Sequence, residues 1–280
     1  MSESFADKTA LVVGAAAGIG RAVAFELAAR GARVALADRD LPTARSAAEE
    51  LAAAGRRAIG TFCDVERPET LEAALATVEA ELGHVDLLVN NVGAILSGRP
   101  EEIPLEEWRR IFELNFFYAV RTVQTLLPGM LERGAGHIVN VASVAGLFPY
   151  AINRAPYAAA KAALISYSEN LALYTEPQGV RVTVFCPGPT RTAVAAGMMV
   201  WSKDAPMVGP GRQFALMSAE EVARRLVDAV AAGAVLAVAH DCAWEELRAH
   251  AVDPDGYLRR RLAAMAAGDL GLPPRPERES

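Results

Sequence analysis

Short runs rich in Val, Leu and Ile alternate along this chain with longer stretches in which apolar residues recur every three or four positions. The short runs, each predicting a β-strand, are Thr9 to Val13, Arg33 to Ala37, Ala58 to Phe62, Val85 to Val89, His137 to Val141, Val180 to Phe185 and Val235 to Val238. Between them the helical period shows first in Ile19, Val23 and Leu27, then over Pro42 to Ala54, Pro68 to Leu82, Leu105 to Leu131 and Pro156 to Leu173. Strands alternating with helices predict parallel strands joined by right-handed crossovers. Runs such as Leu11-Val12-Val13 send apolar side chains to both faces of a sheet, which calls for helices on both sides. The expected fold is α/β: a single doubly wound parallel sheet of seven strands with helices on both faces.

Two stretches break the rhythm. From 188 to 217 the chain mixes Pro, Gly, Met and Trp201 without a period, which predicts either a poorly ordered connection or a mobile lid over a ligand. Beyond the seventh run, Trp244 to Ala267 predicts one or two extra C-terminal helices, and the Pro- and charge-rich end, 271–280, predicts a flexible tail. No internal repeat or linker divides the chain, so residues 1–270 are expected to form one domain.

Composition narrows the function classes. The 280 residues are 52% hydrophobic and 22% charged, a globular balance able to bury a large core. A net charge of −6 offers no broad basic surface for a nucleic-acid backbone, so no nucleic-acid partner is expected. Cys63, Cys186 and Cys242 lie in or beside apolar runs, without metal-ligand spacing, and read as reduced core residues. Gly, Asp or Arg interrupts each apolar segment short of the ~18 residues of a membrane span. The start, with Glu3 and Asp7, lacks the basic, apolar pattern of a secretory signal. A cytoplasmic location without a membrane partner is expected.

Chemistry concentrates at the ends of the predicted strands. Gly14-Ala15-Ala16-Ala17-Gly18-Ile19-Gly20 follows the first strand and opens the first helix, where glycines allow a tight turn and helix N–H groups attract phosphate oxygens. Asp38 closes the second strand, where a carboxylate can accept hydrogen bonds from adenosine ribose hydroxyls and would repel a 2′-phosphate. With no basic residue in Ala15 to Ala17, NAD is favoured over NADP, although Arg39 could soften the discrimination. Asp64, closing the third strand, could reach the adenine amino group or simply cap a loop. Tyr157 and Lys161 stand one helical turn apart, so the ammonium could favour the phenolate and bring the phenol toward a useful pH for proton transfer. Asn115 sits among apolar helix neighbours and needs buried partners.

Spacing GxxxGxG, Asn90-Asn91-Val92-Gly93 after the fourth strand, Asn115, Ser143, Tyr157-xxx-Lys161 and Pro187-Gly188 occur here in one order. Together they resemble the short-chain dehydrogenase/reductase family, over about residues 5 to 240. The resemblance implies a Rossmann-type fold and catalytic residues Asn115, Ser143, Tyr157 and Lys161. Tyr157 would be the general acid/base, Ser143 would hold the substrate oxygen, Lys161 would lower the tyrosine pKa and bind the nicotinamide ribose, and Asn115 would hold a water leading to solvent. Cofactor contacts would come from Gly14, Ala17, Gly18, Ile19, Gly20, Asp38, Asp64, Val65, Asn91, Gly93, Pro187, Gly188, Thr190 and Thr192, with Tyr157 and Lys161. No metal is required. A homodimer or homotetramer through the long helices is also implied.

Valine stands at 13 and 92, where the family usually has threonine and alanine, so a hydrogen bond that normally joins those segments is lost or replaced by apolar packing. His240-Asp241-Cys242 lacks the ligand spacing of a metal site, because consecutive residues face different directions. Met198, Met199, Trp201 and Met207 could wrap an apolar or aromatic substrate or pack on the fold. The expected activity is NAD-dependent interconversion of a secondary alcohol and a ketone. The competing readings are an NADPH-linked carbonyl reductase, a non-redox lyase or isomerase, and a catalytically idle nucleotide-binding sensor.

Overall fold

The computed structural model describes residues 5–192 and 198–274. Its main sheet contains β1 (Thr9–Val13), β2 (Arg33–Asp38), β3 (Ala58–Phe62), β4 (Leu87–Asn90), β5 (Gly136–Val141), β6 (Val180–Cys186) and β7 (Leu236–Val238). All its pairings are parallel, in the order β3-β2-β1-β4-β5-β6-β7. This is the doubly wound, Rossmann-like α/β sheet expected from the alternating pattern. The order switches direction between β1 and β4, and ligands of such sheets bind beyond the strand carboxyl ends at that switch.

Helices cover both faces: α1 (Gly18–Ala29), α2 (Leu41–Ala53), α3 (Glu69–Leu82), α4 (Leu105–Phe112), α5 (Tyr118–Arg133), α6 (Ala155–Thr175) and α7 (Ala219–Ala231). Successive strand residues point to opposite faces, so Val12 packs with Val23, Leu27, Leu51 and Leu226 on one side. Leu11 and Val13 pack with Leu71, Val78, Val123 and Met130 on the other. Helix ends follow local chemistry. Asp40 accepts the Thr43 N–H before α2, Ser218 and Glu221 form a reciprocal capping box on α7, and Gly134 takes a left-handed φ of 61° after α5.

The helix predicted over Leu105 to Leu131 is interrupted. A π-helical turn, Glu113–Phe117, separates α4 from α5. Within it the Asn115 amide donates to the carbonyls of Ile111 and Ala94, both at 2.9 Å, so a side chain has entered the helical ladder. A second polar device fastens α5 and α6 to the sheet. Asn90 donates to Asn140 (2.9 Å), Asn140 to Ser168 (2.9 Å), and Thr122 to Asn90 (2.8 Å), all buried. Leaving any one of these groups unpaired would cost about 1–3 kcal/mol, which favours a single register between α6 and the central strands.

Two helices follow β7, α8 (Cys242–Val252) and α9 (Pro254–Ala266). Of the 188–217 stretch, residues 193–197 lie outside the described residues. The rest forms two short parallel pairings, Leu96–Ser97 with Met199–Val200 and Thr190–Arg191 with Met217–Ser218. At the other end Gly209 donates to the Leu270 carbonyl (2.8 Å) and Gly211 to that of Gly271 (3.0 Å), so the first residue of the predicted tail is hydrogen-bonded; residues 275–280 lie outside the described residues. Among the described residues no helix is long and apolar enough to cross a membrane.

Candidate active site

The loop from β1 to α1 needs its glycines. Gly14 and Gly18 have φ of 83° and 58°, values that L side chains adopt only under strain. Ala17, the residue before α1, supplies no side-chain cap, so the first N–H groups of the helix are left for an outside acceptor. With the helix dipole behind them, these donors fit the phosphates of a dinucleotide. Asn91 closes the loop from β4: its N–H donates to the Val13 carbonyl (3.1 Å) and its amide to that of Gly14 (2.9 Å). These bonds join the segments where Val13 and Val92 contribute only apolar packing.

Asp38 takes the Ala16 N–H on Oδ2 and the Asp40 N–H on Oδ1, both at 2.9 Å, so its carboxylate also shapes the glycine loop. Asp64 Oδ1 accepts the Glu66 N–H (3.1 Å) in a loop turn, and the Val65 carbonyl accepts from Arg121 (2.7 Å). Opposite the loop, Thr192 comes within 3.4 Å of where a Gly18 Cβ would stand. Thr190 donates to the Gly188 carbonyl (3.0 Å), and the Pro187 carbonyl accepts the Val144 N–H (3.0 Å), which ties this loop to the turn after Ser143.

Ser143 follows β5 and caps a 3-10 turn by accepting the Ala145 N–H (3.1 Å). Its hydroxyl stands near enough to the Tyr157 phenol to draw the phenol's pKa down. Lys161, 3% exposed, donates from Nζ to the Val141 carbonyl (2.9 Å), with Nζ 5.9 Å from the centre of the Tyr157 ring. A Cβ at Gly93 would lie 3.1 Å from Asn115 Oδ1 and 3.3 Å from Lys161 Nζ, so the turn after β4 joins the same cluster. Asn115 itself binds Ala94 through both ends of its amide, accepting the N–H at 3.2 Å and donating to the carbonyl.

Electrostatics depart from the expectation that Lys161 dominates the phenol. Burial pushes the Tyr157 phenol up, while the Ser143 hydrogen bond and then the Arg154 guanidinium pull it down. Burial also pushes Lys161 down to about 8. An unfolded lysine titrates near ~10.4, so between these values the unfolded chain binds more protons and stability rises with pH. Melting temperatures of the parent and a Lys161→Met variant, compared from pH 7 to pH 10, should show the parent gaining on the variant. A gap independent of pH would contradict a depressed lysine.

The family model for short chain dehydrogenases matches residues 8–202. The chain belongs to the short-chain dehydrogenase family. A putative ketoacyl reductase of Streptomyces coelicolor is 37% identical over 193 residues, 68% of this chain and 74% of that protein. The 3-oxoacyl-[acyl-carrier-protein] reductase FabG of Salmonella typhimurium is 37% identical over 185 residues, 66% of this chain and 74% of its own. An uncharacterized oxidoreductase of Myxococcus xanthus is 37% identical over 189 residues, again 68% and 74%.

In this short-chain dehydrogenase three further residues stand beside the cluster, and of these only Arg154 carries no signal in the sequence. Arg154 begins α6 three positions before Tyr157 and lies 5.5 Å from the Tyr150 ring centre. Cys186, fully buried at the end of β6, has its thiol pushed up to about 12 by burial. His240, 7% exposed, bonds the Ala215 carbonyl through Nε2 at 2.7 Å and packs on Gly188; it is not part of a metal cluster, and among the described residues no group of three or more His, Cys, Asp or Glu is placed to hold one. Trp201 and Met207 are 46% and 39% exposed, whereas Met199 packs with Leu96 and Ile111. Only the last supports the apolar-wall reading of this segment.

Proposed function

We propose that this oxidoreductase interconverts a secondary alcohol and a ketone on a hydrophobic or aromatic small molecule, with NAD in preference to NADP. The observation that carries the reading is the convergence of Ser143, Tyr157 and Lys161 beyond the carboxyl end of β5, opposite the glycine loop. When bound, the nicotinamide cofactor supplies or accepts hydride. The Ser143 hydroxyl donates a hydrogen bond to the substrate oxygen. Tyr157 gives its proton to that oxygen in reduction and takes it back in oxidation. Lys161 holds positive charge behind the phenol and binds the nicotinamide ribose. Gly14, Ala17, Gly18, Ile19 and Gly20 hold the pyrophosphate with Thr190 and Thr192. Asp64, Val65, Asn91, Gly93, Pro187 and Gly188 complete the cofactor's walls.

Apolar character follows from the surroundings of Tyr157, which packs against a buried cluster that contains Phe148, Tyr150 and Phe214. Two relatives named as ketoacyl reductases favour reduction as the working direction. Exposed Leu105, Phe117, Leu173 and Tyr174 on α4 to α6 support a homodimer or homotetramer, which a sedimentation mass near that of one chain would exclude.

Asp38 argues for NAD because a carboxylate only accepts hydrogen bonds and repels a 2′-phosphate. A specific observation favours the NADPH reading: Asp38 already holds two N–H groups, and Arg39 beside it is exposed. Fluorescence titration should give tighter binding of NADH, and a panel of ketones should show loss of reduced-nicotinamide absorbance. Tighter NADPH binding would reverse the cofactor assignment, and cofactor binding without turnover on ketones or alcohols would remove the redox reading.

A further inference from the structure

The 206–210 stretch is held by its backbone carbonyls. Asn153 donates to the Pro206 carbonyl (2.8 Å), Arg154 to that of Val208 (2.5 Å), and Arg261 to those of Gly209 (2.7 Å) and Pro210 (3.1 Å). Two arginines therefore grip three consecutive carbonyls, one from the start of α6 and one from α9. Tyr150 links them: the Arg154 guanidinium lies over its ring, and both arginines act electrostatically on its phenol. Tyr150 packs in the same apolar cluster as Tyr157.

The grip joins α9 to the start of α6 through 206–210; Arg154 lies within the family match of residues 8–202, and both 206–210 and α9 lie beyond it. Further bonds fasten the neighbouring segments: Gln213 donates to Glu246 of α8 (2.6 Å), Tyr257 of α9 donates to the same Glu246 (2.8 Å), and Arg212 pairs with Asp269 just past α9 (3.2 Å). Charge-assisted bonds to a carbonyl are stronger than neutral ones, and a guanidinium can span two acceptors where an ammonium cannot.

We propose that Arg154 and Arg261 are positioning residues that clamp 206–210 as a fixed wall of the substrate pocket, so that the C-terminal helices decide which ketones reach Tyr157. The inference rests on the alcohol–ketone reading for its kinetic consequences and on the backbone bonds alone for its structural one. Arg154 has a second effect through position: its guanidinium lies 5.5 Å from the Tyr150 ring centre, in the apolar cluster that also holds Tyr157, so a second cation beside Lys161 stands near the phenol.

Hydrogen exchange followed by mass spectrometry on the full chain tests the clamp without any substrate. Arg261→Met and Arg154→Met should each raise exchange across 206–212 at least tenfold, with the sheet strands unchanged. On the best ketone of the panel, KM should rise about tenfold with kcat and cofactor affinity within about twofold for Arg261→Met. In alcohol oxidation Arg154→Met should also move the rising limb of the pH–rate profile to higher pH, and Arg154→Lys should restore it. Should either methionine variant fail to fold, Arg261→Lys, which keeps the charge but loses the two-carbonyl span, should give a smaller change in the same direction. Parental exchange across 206–212 in the soluble variants would overturn the proposal. A parent that binds cofactor but turns over no ketone would defeat the functional reading instead, leaving exchange to judge the clamp.

Discussion

Replacing Tyr157 by Phe should lower turnover by roughly 10²-fold or more while leaving cofactor affinity within about twofold. The change removes one hydroxyl and keeps the ring, which packs against the cluster that contains Phe148 and Tyr150. Cofactor residues on the glycine loop are untouched, so any loss belongs to proton transfer at the substrate oxygen. Ser143 cannot substitute, because it lacks a charged neighbour able to take up a proton and its oxygen already accepts the Ala145 N–H. The decisive measurement pairs kcat with a cofactor titration on the same variant. Near-parental turnover would remove Tyr157 from the chemistry, and weakened cofactor binding with proportionate loss of rate would make it a binding residue.

Gly20→Ala should cripple the cofactor site without touching the acid/base cluster. A Cβ there would lie 2.0 Å from the Gly14 carbonyl oxygen and 2.5 Å from the Asn91 amide, and the first of these is backbone that cannot swing away. Forcing the methyl in costs about 1–3 kcal/mol of strain and shifts the turn that presents the α1 N–H groups. The dissociation constant for NADH should rise at least tenfold and the melting temperature should fall by several degrees, since about 1 kcal/mol moves a chain of this size by ~2–4 °C. Gly129 supplies the control: inside α5 its added methyl would meet only the flexible end of Arg133, at 3.2 Å, and alanine there favours the helix. Equal behaviour of the two variants would show that the loop tolerates side chains.

The strands were legible because burial on both faces leaves uninterrupted Val, Leu and Ile runs, and the seven predicted runs match β1 to β7 within two residues at either end. Periodicity could not reveal the π turn at Glu113–Phe117, since its cause is a hydrogen bond from Asn115 to Ala94, twenty-one positions earlier. Ser143, Tyr157 and Lys161 were legible as a motif, but their electrostatics were not. Spacing suggested that Lys161 favours the phenolate, but it could not show that burial pushes the phenol up, with Ser143 and then Arg154 pulling it down. A lone arginine before an alanine-rich helix carries no pattern. Helix α7 was within reach, because Ser218 and Glu221 have the spacing of a capping box. The contacts of α9 with Gly209 and Pro210 join residues some fifty positions apart and leave no trace in composition.

The carbonyl grip has a consequence for how this protein can change. Every amino acid brings the same backbone oxygen, so the exposed Met207 can be exchanged without loosening the arginines that hold its stretch, whereas Val208 is buried and constrained by packing. Natural drift or laboratory diversification at Met207 could recontour the surface for a different guest while the frame behind it keeps its shape, giving an old catalyst new diets at small risk to its folding.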